Sequence, residues 1–116
     1  MEREDCVFCQ ILSKRKASKI EYEDEELAVF WDINPQAPVH LLIVPKKHVA
    51  KLSDFDESDD YLMCKLFKVA RDVAKKLKLD EKGFRLVLNE GRDAGQSIFH
   101  VHLHLLSGRR LMWPPG

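Results

Sequence analysis

The sequence predicts an α+β domain: a five-stranded, mainly antiparallel sheet with one long and one short helix. Three observations lead there. Five short segments are either alternating or wholly apolar, as strands are. One stretch carries a sustained helical repeat, with Leu62, Leu66, Val69, Ala70, Val73 and Leu77 on one stripe. The connections between strands are short, which leaves little room for parallel crossovers.

The elements follow in chain order. Val7, Phe8, Ile11 and Leu12 have helical spacing, so a short helix is expected over residues 6–14. Residues 13–19 are polar and basic and read as a loop. Ile20 to Asp24 alternates as a strand, Glu25-Glu26 turns the chain, and Leu27 to Ile33 is a nearly continuous apolar strand. Asn34-Pro35-Gln36-Ala37-Pro38 is a turn, because its prolines cannot donate to a ladder. Val39 to Val44 is the third strand. Ser58 is the expected N-cap of the long helix, with Asp59 and Asp60 near the positive end of its dipole and Lys75, Lys76 and Lys78 near the other. Phe84 to Asn89 and Phe99 to Leu106 are the last two strands, joined by the loop Gly91-Arg92-Asp93-Ala94-Gly95-Gln96-Ser97.

Length and charge narrow the class. The 116 residues fit one domain over 1–116, large enough to bury a core without disulfide staples. Lys plus Arg and Asp plus Glu each number 19, and this balance lacks the basic excess of a nucleic-acid binder. No apolar run is long enough to span a bilayer, so no membrane partner is expected. The start Met1-Glu2-Arg3-Glu4-Asp5 has neither the basic onset nor the apolar stretch of a signal peptide, and a cytoplasmic protein is expected. Three cysteines argue against a disulfide framework, and Cys64 reads as a small core residue of the long helix.

The chemistry concentrates at His100-Val101-His102-Leu103-His104. On a strand, alternate side chains share a face, so the three imidazoles point one way, each starting about 6.6 Å from the next. A single histidine there would read as an outward polar residue; three beside a glycine loop read as a site. Two readings fit. The imidazoles hold a catalytic metal, or one of them is a nucleophile that attacks phosphorus. The preceding loop favours the nucleophile, because Gly91 and Gly95 allow close approach, backbone N–H groups can cradle a phosphate, and Gln96 and Ser97 add donors.

The run Gly95-Gln96-Ser97-Ile98-Phe99-His100-Val101-His102-Leu103-His104-Leu105-Leu106 resembles the signature of the histidine triad (HIT) superfamily. Asp32-Ile33-Asn34-Pro35-Gln36-Ala37-Pro38-Val39-His40 and Ile43-Val44-Pro45-Lys46-Lys47-His48 are similar to the same family, and the ending Trp113-Pro114-Pro115-Gly116 resembles its Hint branch, the purine nucleoside phosphoramidases. The resemblance implies hydrolysis of the P–N bond of purine nucleoside 5′-phosphoramidates such as adenylated amines. His102 would attack the α-phosphorus and carry the nucleotidyl group, which water would release as the monophosphate. His104 and His40 would support it, with Asn89, Gly95, Gln96 and Ser97 lining the phosphate site. Asp32 would accept from the ribose hydroxyls, and Ile33, Phe8, Ile11 and Phe30 would pack the purine. Taken alone, Asp32 reads as a turn initiator and the two phenylalanines as core.

The resemblance also implies a homodimer, through the joined sheets and the Trp113-Pro114-Pro115-Gly116 tail, and no catalytic cofactor. In some members a C-x-x-C pair joins two histidines around a structural zinc; the matching residues are Cys6, Cys9, His48 and His100. The Hint branch often carries Ile-Pro after the first helix, where this chain has Lys16-Ala17, a departure at a wall of the base pocket that leaves base preference open. Three other readings stay open: a dinucleoside polyphosphate hydrolase of the Fhit type, a nucleotide-binding interaction protein, and a metal-dependent hydrolase. The tail argues against the first, intact His102, Ser97 and Gln96 against loss of chemistry, and the want of an obvious open coordination position against the last.

Overall fold

The structure is a computed structural model that describes residues 3–116. Met1 and Glu2, the start of the stretch read above as lacking a signal peptide, lie outside the described residues. The elements are α1 (Val7–Leu12), β1 (Ile20–Glu23), β2 (Leu27–Trp31), β3 (Val39–Pro45), α2 (Asp60–Lys76), β4 (Phe84–Val87) and β5 (Leu103–Ser107), with three short 3₁₀ turns. The strands form one five-stranded sheet in the order β1-β2-β3-β5-β4. Every neighbouring pair is antiparallel. The α+β expectation holds. No helix among the described residues is long and apolar enough to cross a membrane.

Period-two alternation divides the side chains between the two faces of the sheet. Leu27, Val29, Leu41, Ile43, Leu103 and Leu105 point to one face, where Leu66, Val69, Ala70 and Val73 of α2 cover them. Ala28, Phe30, Leu42 and Val44 point to the other, under Phe8 and Ile11 of α1. Both faces of β2 and β3 are therefore covered, which is why their sequences read as unbroken apolar runs. The α1 face is only partly covered, because α1 has just six residues. The uncovered part is where polar residues of the same parity come together.

Four sequence expectations are corrected. The last strand starts at Leu103 rather than Phe99, because Val101 N–H donates to Val49 O at 2.7 Å and the backbone leaves the ladder there. Accordingly β4 stops at Val87, opposite His104, instead of reaching Asn89. Ser58 is not the N-cap of α2: that position is Asp59, without a side-chain cap, and Ser58 lies in the preceding 3₁₀ turn Glu57–Asp59, whose own cap is Asp56, its carboxylate accepting from Ser58 N–H while Asp59 accepts from Asp56 N–H in return. Cys64 is exposed rather than core. It precedes Leu66 by two residues, about 200° around the helix, which turns it away from the apolar stripe.

Candidate active site and a Cys-His cluster

A cavity of about 380 Å³ opens on the α1 face. Its floor follows from alternation: Phe30 belongs to β2, Asp32 follows its end at Trp31 (short of the expected Ile33), His40 and Leu42 belong to β3, and His104 belongs to β5, opposite Leu42. His102 lies just before β5 yet keeps the same side, with its ring edge-on to Phe8 at 4.9 Å and to His104 at 4.8 Å. Phe8 and Ile11 of α1 form the apolar end with Phe30 and the largely exposed Ile33. Asn89, Gly95, Gln96 and Ser97 line the opposite part. All the residues assigned to catalysis or nucleotide contact thus line one cavity.

Hydrogen bonds fix the proton on each ring. A carbonyl can only accept, so His102 Nδ1 carries the hydrogen that it donates to His100 O at 2.7 Å. Nε2 of His102 is then the basic nitrogen. Gln36 N–H donates to His40 Nδ1 at 3.0 Å, so His40 is protonated on Nε2. That nitrogen lies 2.9 Å from His104 Nδ1 and 3.5 Å from Asp32 Oδ2. It donates to His104 Nδ1, which leaves the hydrogen of His104 on Nε2. The site therefore pairs a bare nitrogen on His102 with a donor on His104. Burial keeps these rings neutral: it lowers the pKa of His40 and of His102 and pushes His104 down to about 4.

The glycine loop departs from its expected role in one respect. Gln96 is buried, and its side chain is spent inside the protein. Its carbonyl accepts from Gly91 N–H at 2.9 Å, and its amide donates to Ala50 O and Ile98 O at 2.8 and 3.1 Å. Gly95 N–H and Gln96 N–H also donate within the loop, to Arg92 O and Gly91 O. Gln96 braces the loop, and Ser97, exposed at the rim, is the hydroxyl left to meet a ligand. A second brace was not legible in the sequence: the Glu90 carboxylate accepts from Ser53 N–H and Oγ–H at 2.8 and 2.7 Å. Trp31, without a role in the sequence reading, donates from Nε1 to Glu21 and lies under Lys19 at the cavity edge.

Cys6, Cys9, His48 and His100 form a separate cluster whose ligand atoms all lie within 4.8 Å of one another. His100 Nδ1 is 3.4 Å from Cys6 Sγ and 3.7 Å from Cys9 Sγ, Cys9 Sγ is 3.3 Å from His48 Nδ1, and the two Nδ1 atoms are 3.1 Å apart. A tetrahedral S₂N₂ zinc has ligand–ligand edges of roughly 3.3–3.8 Å, so these residues fit that ion. His100 Nε2–H donates to Pro45 O at 2.8 Å, which leaves Nδ1 bare for a metal.

A HIT-domain family model matches residues 13–111. The chain belongs to the HIT family. An uncharacterised HIT-like protein of Synechocystis is 44% identical over 113 residues, covering 97% of this chain and 98% of its own. A HIT family hydrolase from Legionella pneumophila superposes with a TM-score of 0.94 at 43% identity, covering 97% of this HIT protein and all of that chain (100%). A histidine triad protein from Clostridium difficile gives 0.93 at 40% identity, with 97% of each chain covered. A histidine triad nucleotide-binding protein from Candida albicans gives 0.81 at 37% identity, covering 95% of this chain and 83% of the other.

Proposed function

We propose that this HIT protein is a hydrolase of the Hint type, which cleaves the P–N bond of purine nucleoside 5′-phosphoramidates. The observation that carries the reading is the hydrogen bond from His102 Nδ1 to His100 O, which leaves Nε2 of a neutral, cavity-lining imidazole as a nucleophile. Nε2 attacks the α-phosphorus, the P–N bond breaks, and the leaving amine takes a proton. Water then attacks the same phosphorus, the P–Nε2 bond breaks, and the nucleoside monophosphate leaves. His104 Nε2–H is the donor for a phosphoryl oxygen or for the leaving nitrogen. Asp32 is the acceptor for ribose hydroxyls, and the Phe8, Ile11, Phe30 and Ile33 end suits a flat purine. Names of structural relatives that speak of hydrolases and of nucleotide binding support the same class.

The Cys6, Cys9, His48 and His100 set is the proposed structural zinc site, where a bound ion would tie α1 to the histidine segment without joining the reaction. A cytoplasmic homodimer completes the proposal. Its support is the open edge of β4, with Phe84 37% exposed, and a tail in which Met112 and Trp113 are 70% and 80% exposed. Sedimentation tests the dimer: a purely monomeric boundary at micromolar concentration rejects it.

The decisive experiment offers adenosine 5′-phosphoramidate and, separately, a dinucleoside polyphosphate, with His102→Ala and chelator as parallel arms. Release of AMP from the phosphoramidate by wild type alone is expected. Survival of the phosphoramidate rejects the reading, and loss of turnover on chelation while the protein stays folded rejects the nucleophile role of His102.

A further inference from the structure

We propose that Arg109 is a positioning residue for the His40–His104 pair, acting through the backbone of Gln36. Arg109 lies just beyond β5 and is exposed, yet its guanidinium is held at both ends: Nη1 donates to Arg110 O at 3.1 Å, and the other side of the fork closes on Gln36. Nε and Nη2 donate to Gln36 O at 3.1 and 3.0 Å. On the other side of the same residue, Gln36 N–H donates to His40 Nδ1 at 3.0 Å. The two contacts flank one α-carbon, so holding the carbonyl holds the amide that selects the tautomer of His40. His40 then selects that of His104 across 2.9 Å.

The 33–38 turn needs such an anchor. It lies outside the sheet, and its ends are tied by Asp32 N–H donating to His40 O at 3.0 Å. The neighbouring Gly108 supplies a second contact: a Cβ added there would meet Pro38 Cβ at 2.7 Å. Residues 108 and 109 thus hold the turn at Pro38 and at Gln36. Arginine suits the task because its planar fork offers two donors at fixed geometry, where lysine offers a mobile point charge. Without the amide at Nδ1, only the longer 3.5 Å contact between Nε2 and Asp32 Oδ2 still favours the Nε2–H tautomer of His40. The alternative tautomer removes the Nε2–H that His104 Nδ1 accepts, and the donor on His104 is lost with it.

The kinetic consequence rests on the phosphoramidase reading; the tautomer consequence does not. Two-bond ¹H–¹⁵N correlation spectra of histidine-labelled, ligand-free protein read the tautomers directly, for wild type, Arg109→Ala and Arg109→Lys. Wild type is expected to show His40 as a single Nε2–H form, and Arg109→Ala a mixture at His40 and His104 with His102 unchanged. With adenosine 5′-phosphoramidate, kcat should fall about tenfold or more while KM stays within about twofold, Arg109→Lys falling between. Should Arg109→Ala fail to fold, Arg109→Lys carries the same comparison. An unaltered His40 signal in the folded variants, or an Nδ1–H form in wild type, overturns the proposal. If wild type leaves the phosphoramidate intact, the substrate reading fails and the spectra still decide the role of Arg109.

Discussion

His102 Nδ1 donates to the backbone oxygen of His100 at 2.7 Å, while the imidazole of His100 turns away into the cysteine cluster. One residue thus takes part in both groups, with its carbonyl orienting the His102 ring and its side chain facing the two thiols. Removing the His102 ring should therefore eliminate turnover without disturbing that cluster. For His102→Ala we expect at least about a thousandfold loss of kcat/KM. The covalent nucleotidyl adduct expected in quenched wild-type reactions should be absent from intact-mass spectra of the variant. Residual activity within tenfold of wild type would reject the assignment.

Metal removal should affect stability more than chemistry. Protein purified without chelator is expected to hold one zinc per chain by elemental analysis. Chelation, or Cys9→Ser, should lower the melting temperature by several degrees or more, because two thiolates and two imidazoles would lose the proposed ion between α1 and the histidine segment. Turnover at low temperature should fall less than about tenfold. A zinc ratio near zero in unchelated protein would reject the site.

The buried pair sets a pH dependence. His104, pushed down to about 4 by burial, binds its proton later in the folded protein than in the unfolded chain, where imidazole titrates near the ordinary 6.5. Between those values the unfolded chain holds more protons, so stability is present above about 6.5 and is lost as pH falls toward 4. The contribution is on the order of 1–3 kcal/mol. His104→Asn should flatten the pH dependence of chemical denaturation across that window, and an unchanged slope would show that His104 contributes none of it.

Gly108 adopts φ +99° with Pro38 against it, so Gly108→Ala meets both an unfavourable backbone and a steric overlap. A loss of about 1–3 kcal/mol is expected in denaturant titration. A stability equal to wild type would mean that the segment shifts freely, and would also weaken the case for a fixed 33–38 turn.

Much of the site was legible because its residues share a parity. Phe30, Asp32, His40, Leu42, His102 and His104 are all even-numbered positions on extended segments, and alternation puts them on the α1 face. The long-helix stripe was equally readable, since Leu66, Val69, Ala70 and Val73 are buried as their spacing requires. Less legible were the ends of elements. Whether residues 99–102 join the sheet depends on Val49 as an alternative acceptor, and Ser58 loses the N-cap position of α2 to Asp59 because a 3₁₀ turn capped by Asp56 precedes the helix. Cys64 shows the limit of composition: a small apolar residue inside a helix goes wherever the helical angle sends it.

The sequence by itself determined the strands, the long helix, the histidine alternation and the resemblance that groups the site residues, because each depends on local period or on motif order. Tertiary structure alone decided what those residues do to one another. The protons on His40, His102 and His104 are set by Gln36 N–H, by His100 O and by each other, across sequence separations from 2 to 64 residues. Gln96 looked like a donor to phosphate and is a brace, because Ala50 O and Ile98 O are within its reach. The physical reason is the same in each case. A hydrogen bond depends on where its partner lies in space, and that is fixed only when distant segments pack on both faces of one sheet.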